Sequence, residues 1–151
     1  MPPIKETWDK WFENNVDIVN RTVYIGPINN NDGNESGTDA FMAEAAIKAM
    51  HVLESKNTEP ITILTNNPGG DWYHGMAIYD VIKQAKSHCT IKTFGYVMSI
   101  GSIILQAADK RVMMPHSKFM IHFGSIAIDH HIKSAERIME EEKRLSYIME
   151  N

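Results

Sequence analysis

Ser99 and His122 are the two side chains of this chain whose types and settings could make and break an acyl bond. Ser99 lies in "GYVMSIGS", Gly95 to Ser102, where a strand ends, a serine appears and Gly101 opens a helical pattern. This is the local logic of a nucleophile on a sharp strand-to-helix turn, facing the free N–H groups of the helix start. Taken alone, S-x-G is a common pattern, and a serine that only caps a helix is the favoured account of this stretch. A serine hydroxyl is a poor nucleophile without a base, and histidine is the usual one. Of the seven histidines, His122 closes the run "KFMIH" and precedes "FGS". A strand running out into a loop is where α/β folds hold site residues. His51, His74 and His88 have no such setting. Asp129, His130 and His131 are consecutive, and neighbours on a helix do not face one another, so no metal site is expected.

A third stretch bears on the same chemistry. "TNNPGGDWYHGMAIYD", Thr65 to Asp80, joins a β-branched run to an amphipathic helix through Pro68-Gly69-Gly70. Two adjacent glycines reach φ values closed to other residues and let another molecule come close. The pair serves either a tight turn or a set of backbone N–H groups aimed at a ligand.

The elements that must position these residues can be read from periodicity. "RTVYIGPI", Arg21 to Ile28, is a first strand, and "NNNDGNESGT" after it is a turn-rich loop. A helix starts with Thr38 or Asp39 as N-cap and carries Phe41, Met42, Ala45, Ala46, Ala49, Val52 and Leu53 at spacings of three and four. "ITILT" from Ile61 is a strand apolar enough for a sheet interior. Met76 to Lys86 is a second amphipathic helix, "TIKTFG" from Thr90 a third strand, and Ser99 to Ala108 a buried helix. "RVMMP" and "KFMIH" are short strands around the turn Pro115-His116-Ser117, and a long helix runs from about Ala127. The order β-α-β-α-β-α-β-β-α indicates an α/β fold with parallel pairing and helical crossovers.

Composition narrows the class. At 151 residues, 43% apolar and 23% charged, the chain has the make-up of one soluble domain. A net charge of −4 argues against a nucleic-acid footprint. Cys89 is the single cysteine, which excludes an intrachain disulfide and suits a reducing cytoplasm. The first twenty residues hold no apolar run long enough for a signal peptide or membrane span.

Together the three stretches resemble the ClpP family of self-compartmentalising serine proteases. The family's "SPGG…G…IYD" is similar to "NPGGDWYHGMAIYD", its "ASMG" to "MSIG" at Met98 to Gly101, and its "RxxLPxSxxMIH" to "RVMMPHSKFMIH". Three ordered motifs at compatible spacing are far more specific than any one. The resemblance implies a ClpP/crotonase-type spiral of ββα units with a long C-terminal handle helix. It divides residues 1–151 into an N-terminal segment (about 1–20), a head (about 21–126) and the handle (about 127–151). It makes Ser99 the nucleophile, His122 the general base, and the backbone N–H groups of Gly70 and Ile100 the oxyanion hole, with Gly69 binding substrate. No cofactor or metal is implied. The implied partners are copies of the chain in a ring, commonly heptameric and stacked in pairs, and an AAA+ unfoldase. Ring contacts are expected from the handle's apolar stripe (Ile128, Ile132, Ala135, Met139, Leu145, Met149) and from the helix holding Phe41 and Met42.

The pattern departs from the family at Asn67, where the family usually has serine, at Val97-Met98, and at "MIHFG". The family's triad aspartate lies beyond the handle, past Asn151, and Asp80, Asp109 and Asp129 are poor substitutes. The chain alone is therefore expected to be inactive or weakly active, unless a second polypeptide supplies the carboxylate. Two other readings are a ring subunit that assembles without cutting, and a crotonase-type acyl-CoA enzyme. The latter explains the glycine pair but leaves Ser99 and His122 without a role.

Overall fold

A computed structural model describes residues 9, 11, 13–27, 36–122, 140 and 143. The chain divides into two units, Met1–Ile121 and His122–Asn151. In the second, His122 is exposed, and Glu140 and Lys143 are helical and exposed. The rest of the expected handle, with Asp129 and the stripe from Ile128 to Met149, lies outside the described residues.

The first unit is built on a six-stranded sheet in the order β1-β2-β3-β4-β5, with β6 also paired to β4. β1 (Val16–Asp17) runs antiparallel to β2 (Thr22–Ile25). β2, β3 (Ile61–Asn67) and β4 (Cys89–Met98) are parallel neighbours. Helix α1 (Ala40–Glu54) connects β2 to β3, and α2 (Trp72–Lys83) connects β3 to β4. After β4 come α3 (Ile100–Ile104), a 3-10 turn (Leu105–Ala107), β5 (Lys110–Met113) and β6 (Lys118–Met120). This is the expected α/β architecture, with an antiparallel edge strand added.

Capping sets both long helices. The Asp39 carboxylate accepts from the Met42 N–H at 2.9 Å, and Asp71 accepts from the His74 N–H at 3.0 Å. Each such cap contributes about 1 kcal/mol. The Asp71 cap starts α2 at Trp72, earlier than the expected Met76. Helix α1 buries Met42, Ala43, Ala46, Ala49, Met50 and Leu53, while Phe41 and Val52 are exposed. Met42 therefore belongs to the core, and only Phe41 of that expected contact pair is on the surface. Burying a side chain of this size stabilises by ~1.5–3 kcal/mol, so the helix phase follows Met42.

The sheet interior becomes polar toward one end. Along β3 the buried positions alternate as Ile61, Ile63, Thr65 and Asn67. Thr65 Oγ1 donates to the Ile25 carbonyl at 2.7 Å, so its burial leaves no orphan. Asn67 is the most enclosed polar residue at the end where β3 meets the glycine turn.

Strand β4 changes partner halfway. Thr90–Thr93 pair with β5, and Tyr96–Met98 pair with β6. Between them the register with β3 shifts, and Gly95 takes φ 68°. The Asn66 Oδ1 accepts from the Tyr96 N–H there at 3.2 Å, and a Cβ on Gly95 would lie 2.7 Å from that oxygen. A bulge filled by the neighbouring strand's side chain re-aims the end of β4. That end leads straight into Ser99.

Candidate active site

Ser99 is the hinge between β4 and α3, with φ 52° and ψ −127°. A non-glycine residue held in such a region costs of order 1–3 kcal/mol and persists only where its surroundings fix it. Here the fixing bonds are visible. The Ser99 N–H donates to the Met120 carbonyl at 2.8 Å, and the Ser99 carbonyl accepts from the Ser102 N–H at 3.0 Å and the Ser102 hydroxyl at 2.6 Å. The Ser99 side chain makes no capping bond to α3. The bland reading of this serine as a helix cap therefore fails. Ser99 is half-buried, neither sealed in the core nor fully in solvent.

The glycine turn lies against it. Gly69 has φ 95° and Gly70 φ 148°, both in the region that favours glycine. A Cβ on Gly69 would stand 3.3 Å from Ser99 Oγ and closer still to its Cβ. The turn is held from the far side by Thr38. The Thr38 N–H donates to the Gly69 carbonyl at 2.6 Å, and the Thr38 carbonyl accepts from the Asp71 N–H at 2.8 Å. These bonds form a parallel bridge between Thr38 and Gly70. In that pattern the bridged residue's own N–H points away from its partner, so the Gly70 N–H is turned away from Thr38. A Cβ on Gly70 would collide with the Thr38 backbone.

Ile100 is the first residue of α3, and its N–H has no acceptor within the helix. Its side chain is buried and packs onto Gly75 of α2, where a Cβ would overlap Ile100 Cγ1. Ser99, Gly69, Gly70 and Ile100 thus come together in one unit, at the ends of β3 and β4. This is the edge where α/β sheets bind ligands.

His122 falls outside β6, which ends at Met120 rather than continuing through "IH". The last register pair is Met98 with Met120, and beyond it Ser99 turns the partner strand away. His122 is exposed and is the first residue of the second unit. A different histidine–carboxylate pair exists, His88 Nδ1 at 3.6 Å from Asp109 Oδ2. It lies at the start of β4, roughly 33–36 Å along the strand from Ser99 at ~3.3 Å per residue. That pair cannot serve Ser99. Asp109 also accepts from the Cys89 N–H at 2.7 Å. Asp17 likewise accepts backbone N–H bonds, from Val19 and Asn20, and Asp80 is exposed on α2.

Cys89 is a buried thiol whose pKa is pushed up to about 11, chiefly by burial and then by the carboxylates of Asp109 and Glu54. Its ionised form is suppressed at neutral pH, so it is no nucleophile. Two residues of the neighbourhood carried no sequence signal for it. Thr38 reads only as a possible cap, and Asn67 only as a departure from a motif, though continuing the β3 alternation would have placed Asn67 inside.

Known proteins resemble this chain in sequence and in fold. The Clp protease family model matches residues 33–151, and the chain belongs to that family. The ATP-dependent Clp protease proteolytic subunit of Deinococcus radiodurans is 40% identical over 111 residues, covering 72% of this chain and 50% of that protein. A proteolytic subunit 2 of Prochlorococcus marinus is 38% identical over 119 residues, covering 74% of this chain and 55% of the relative. The chain spans about half the length of these relatives. Among solved structures, a ClpP1 mutant from Listeria monocytogenes superposes with TM-score 0.70 at 30% identity, over 87% of this chain and 71% of that one. A ClpP1 structure from that organism gives 0.65, also at 30% identity, over 85% and 71%.

Proposed function

We propose that this chain forms the nucleophile-bearing part of a serine endopeptidase that hydrolyses unfolded polypeptides through an acyl-enzyme. Ser99 Oγ attacks the scissile carbonyl carbon while His122 takes its proton. The oxyanion is held by the N–H groups of Gly70 and Ile100, and Gly69 lies along the substrate backbone. Collapse expels the amine, which receives the proton from His122, and water then releases the acyl group by the reverse route. Losing one oxyanion donor typically costs ~10²–10³ in rate, so both backbone groups matter.

The observation that carries this reading is Ser99 itself. A serine at φ 52° with no capping bond, pressed against a glycine turn, is strained for presentation rather than for stability. For His122 the support is the bond from Ser99 to Met120, two residues before it in the chain. The match to the Clp protease model, together with that serine, favours the endopeptidase over an acyl-CoA enzyme.

Family membership supports a ring of like subunits, heptameric and stacked in pairs, served by an AAA+ unfoldase; the single cysteine, Cys89, suits a reducing cytoplasm. It also supports the division into an N-terminal segment, a head and a handle. Among the described residues, no helix is long and apolar enough to cross a membrane. A Ser–His pair needs a carboxylate to hold the imidazole, and removing it elsewhere costs ~3 × 10⁴ in turnover. The aspartates Asp17, Asp39, Asp71 and Asp109 are engaged with backbone N–H groups. In this reading the carboxylate comes from outside the described residues, on this or a second polypeptide. The test is a fluorogenic-peptide assay of the chain with and without a polypeptide matching the remaining length of its relatives. Stimulation by several orders of magnitude, abolished by Ser99→Ala, supports the reading. Activity that survives Ser99→Ala removes it.

A further inference from the structure

Asn67 is the last residue of β3 and is fully enclosed. Its Oδ1 accepts from the Gly69 N–H at 2.8 Å and from the Thr38 hydroxyl at 3.0 Å, while its Nδ2 donates to Met42 Sδ at 3.6 Å. Both lone pairs of the amide oxygen are thereby used. The bond to Gly69 closes an Asx-turn around Pro68, a local fold that presets the direction of the next two peptides. Thr38 then joins the same assembly three ways: by its hydroxyl to Asn67, by its N–H to Gly69, and by its carbonyl to Asp71. On the opposite side α3 closes in, since a Cβ on Gly101 would lie 3.0 Å from Asn67 Cγ.

From this we infer that Asn67 is a positioning residue, one that sets the backbone of the Gly69-Gly70 turn without touching substrate. It holds Gly69 from below while Thr38 holds it from the side. The Gly70 N–H can then face only away from Thr38. The inference rests on the reading of that N–H as an oxyanion donor. It differs from that reading in naming what aims the donor: a buried amide reaching α1, α3 and the turn together. A small apolar residue at 67 would leave the Gly69 N–H without its acceptor and the turn held by its Thr38 backbone bonds alone.

The test compares the full chain with Asn67→Ser and Asn67→Ala. Serine keeps an acceptor for the N–H two residues on, whereas alanine has none. Two quantities are measured well below each variant's unfolding temperature: amide exchange of Gly69, and the second-order rate of Ser99 labelling by a fluorophosphonate. In Asn67→Ala, Gly69 exchange should rise at least about tenfold and labelling should fall by about tenfold or more, part of the ~10²–10³ that losing a donor outright costs. In Asn67→Ser both should stay within about threefold of the parent. Gly69 exchange at the parent's rate in Asn67→Ala overturns the inference. So does a lowered unfolding temperature with unchanged labelling, which a purely structural side chain would give. If the parent is not labelled even with the completing polypeptide present, yet Gly69 exchange separates alanine from serine, the turn-setting role stands and the endopeptidase reading has failed. Should Asn67→Ala not fold, Thr38→Val removes the second donor to the same oxygen. It must then speed Gly69 exchange measurably, or the inference falls.

Discussion

Gly69 lies so close to Ser99 that a Cβ added to it would stand 2.6 Å from the Ser99 Cβ and 2.9 Å from the Met98 carbonyl oxygen. Gly69→Ala must therefore move the serine or itself. Elsewhere such a change stabilises by ~0.4–1 kcal/mol through the unfolded chain. Here φ 95° adds strain of ~1–2 kcal/mol and the contact ~1–3 more. The variant should be destabilised by roughly 2–4 kcal/mol in urea unfolding, with the m-value unchanged.

Gly75→Ala tests how α2 and α3 set Ile100. A Cβ there overlaps Ile100 Cγ1. Alanine gains ~1 kcal/mol of helix propensity, but overpacking costs ~1–3, so the clash wins. Pairing it with Ile100→Ala should recover part of the loss, because the two side chains compete for one space. A double-mutant cycle with zero coupling would refute that contact.

Thr93 offers a stabilising change. It is fully buried in β4, and among the described residues its hydroxyl has no hydrogen-bond partner. Valine has the same shape without the orphan, and an unsatisfied buried group costs ~1–3 kcal/mol. Thr93→Val should raise the thermal midpoint by a few degrees. A lowered midpoint would mean that the hydroxyl is satisfied after all.

Cys89 predicts a pH dependence. Its folded pKa is raised to about 11 from the ordinary 9.0. Between those values the folded state keeps a proton that the unfolded state loses. Its share of stability is full below pH 9 and declines as pH rises toward 11, by up to ~1.4 kcal/mol per unit. Cys89→Ala should flatten that alkaline slope. Iodoacetamide at pH 8 should leave the native thiol unmodified while labelling the unfolded chain.

Much of this arrangement was legible in the residues, and what was not had physical causes. Alternation and β-branching marked β2, β3 and β4, and turn chemistry marked Pro68-Gly69-Gly70. The two-residue β1 is too short to show a period. Phe41 and Met42 are adjacent apolar residues, so periodicity could not say which one faces inward. Packing chose Met42. The partner change in β4 depends on Asn66 reaching across from β3, a long-range contact that no local pattern contains. β6 stops short of His122 because its partner strand ends at Met98.

The central claim is that Ser99 is an activated nucleophile set by the glycine turn. It is tested most directly by incubating the chain with a fluorophosphonate and locating the adduct by peptide mass spectrometry. Even without an orienting carboxylate, residual reactivity from the proposed oxyanion donors should give labelling over hours. The account predicts one adduct, on Ser99, absent from Ser99→Ala and from heat-unfolded chain. An adduct on another serine, or labelling of Ser99 no faster in the folded chain than in the unfolded one, would contradict it.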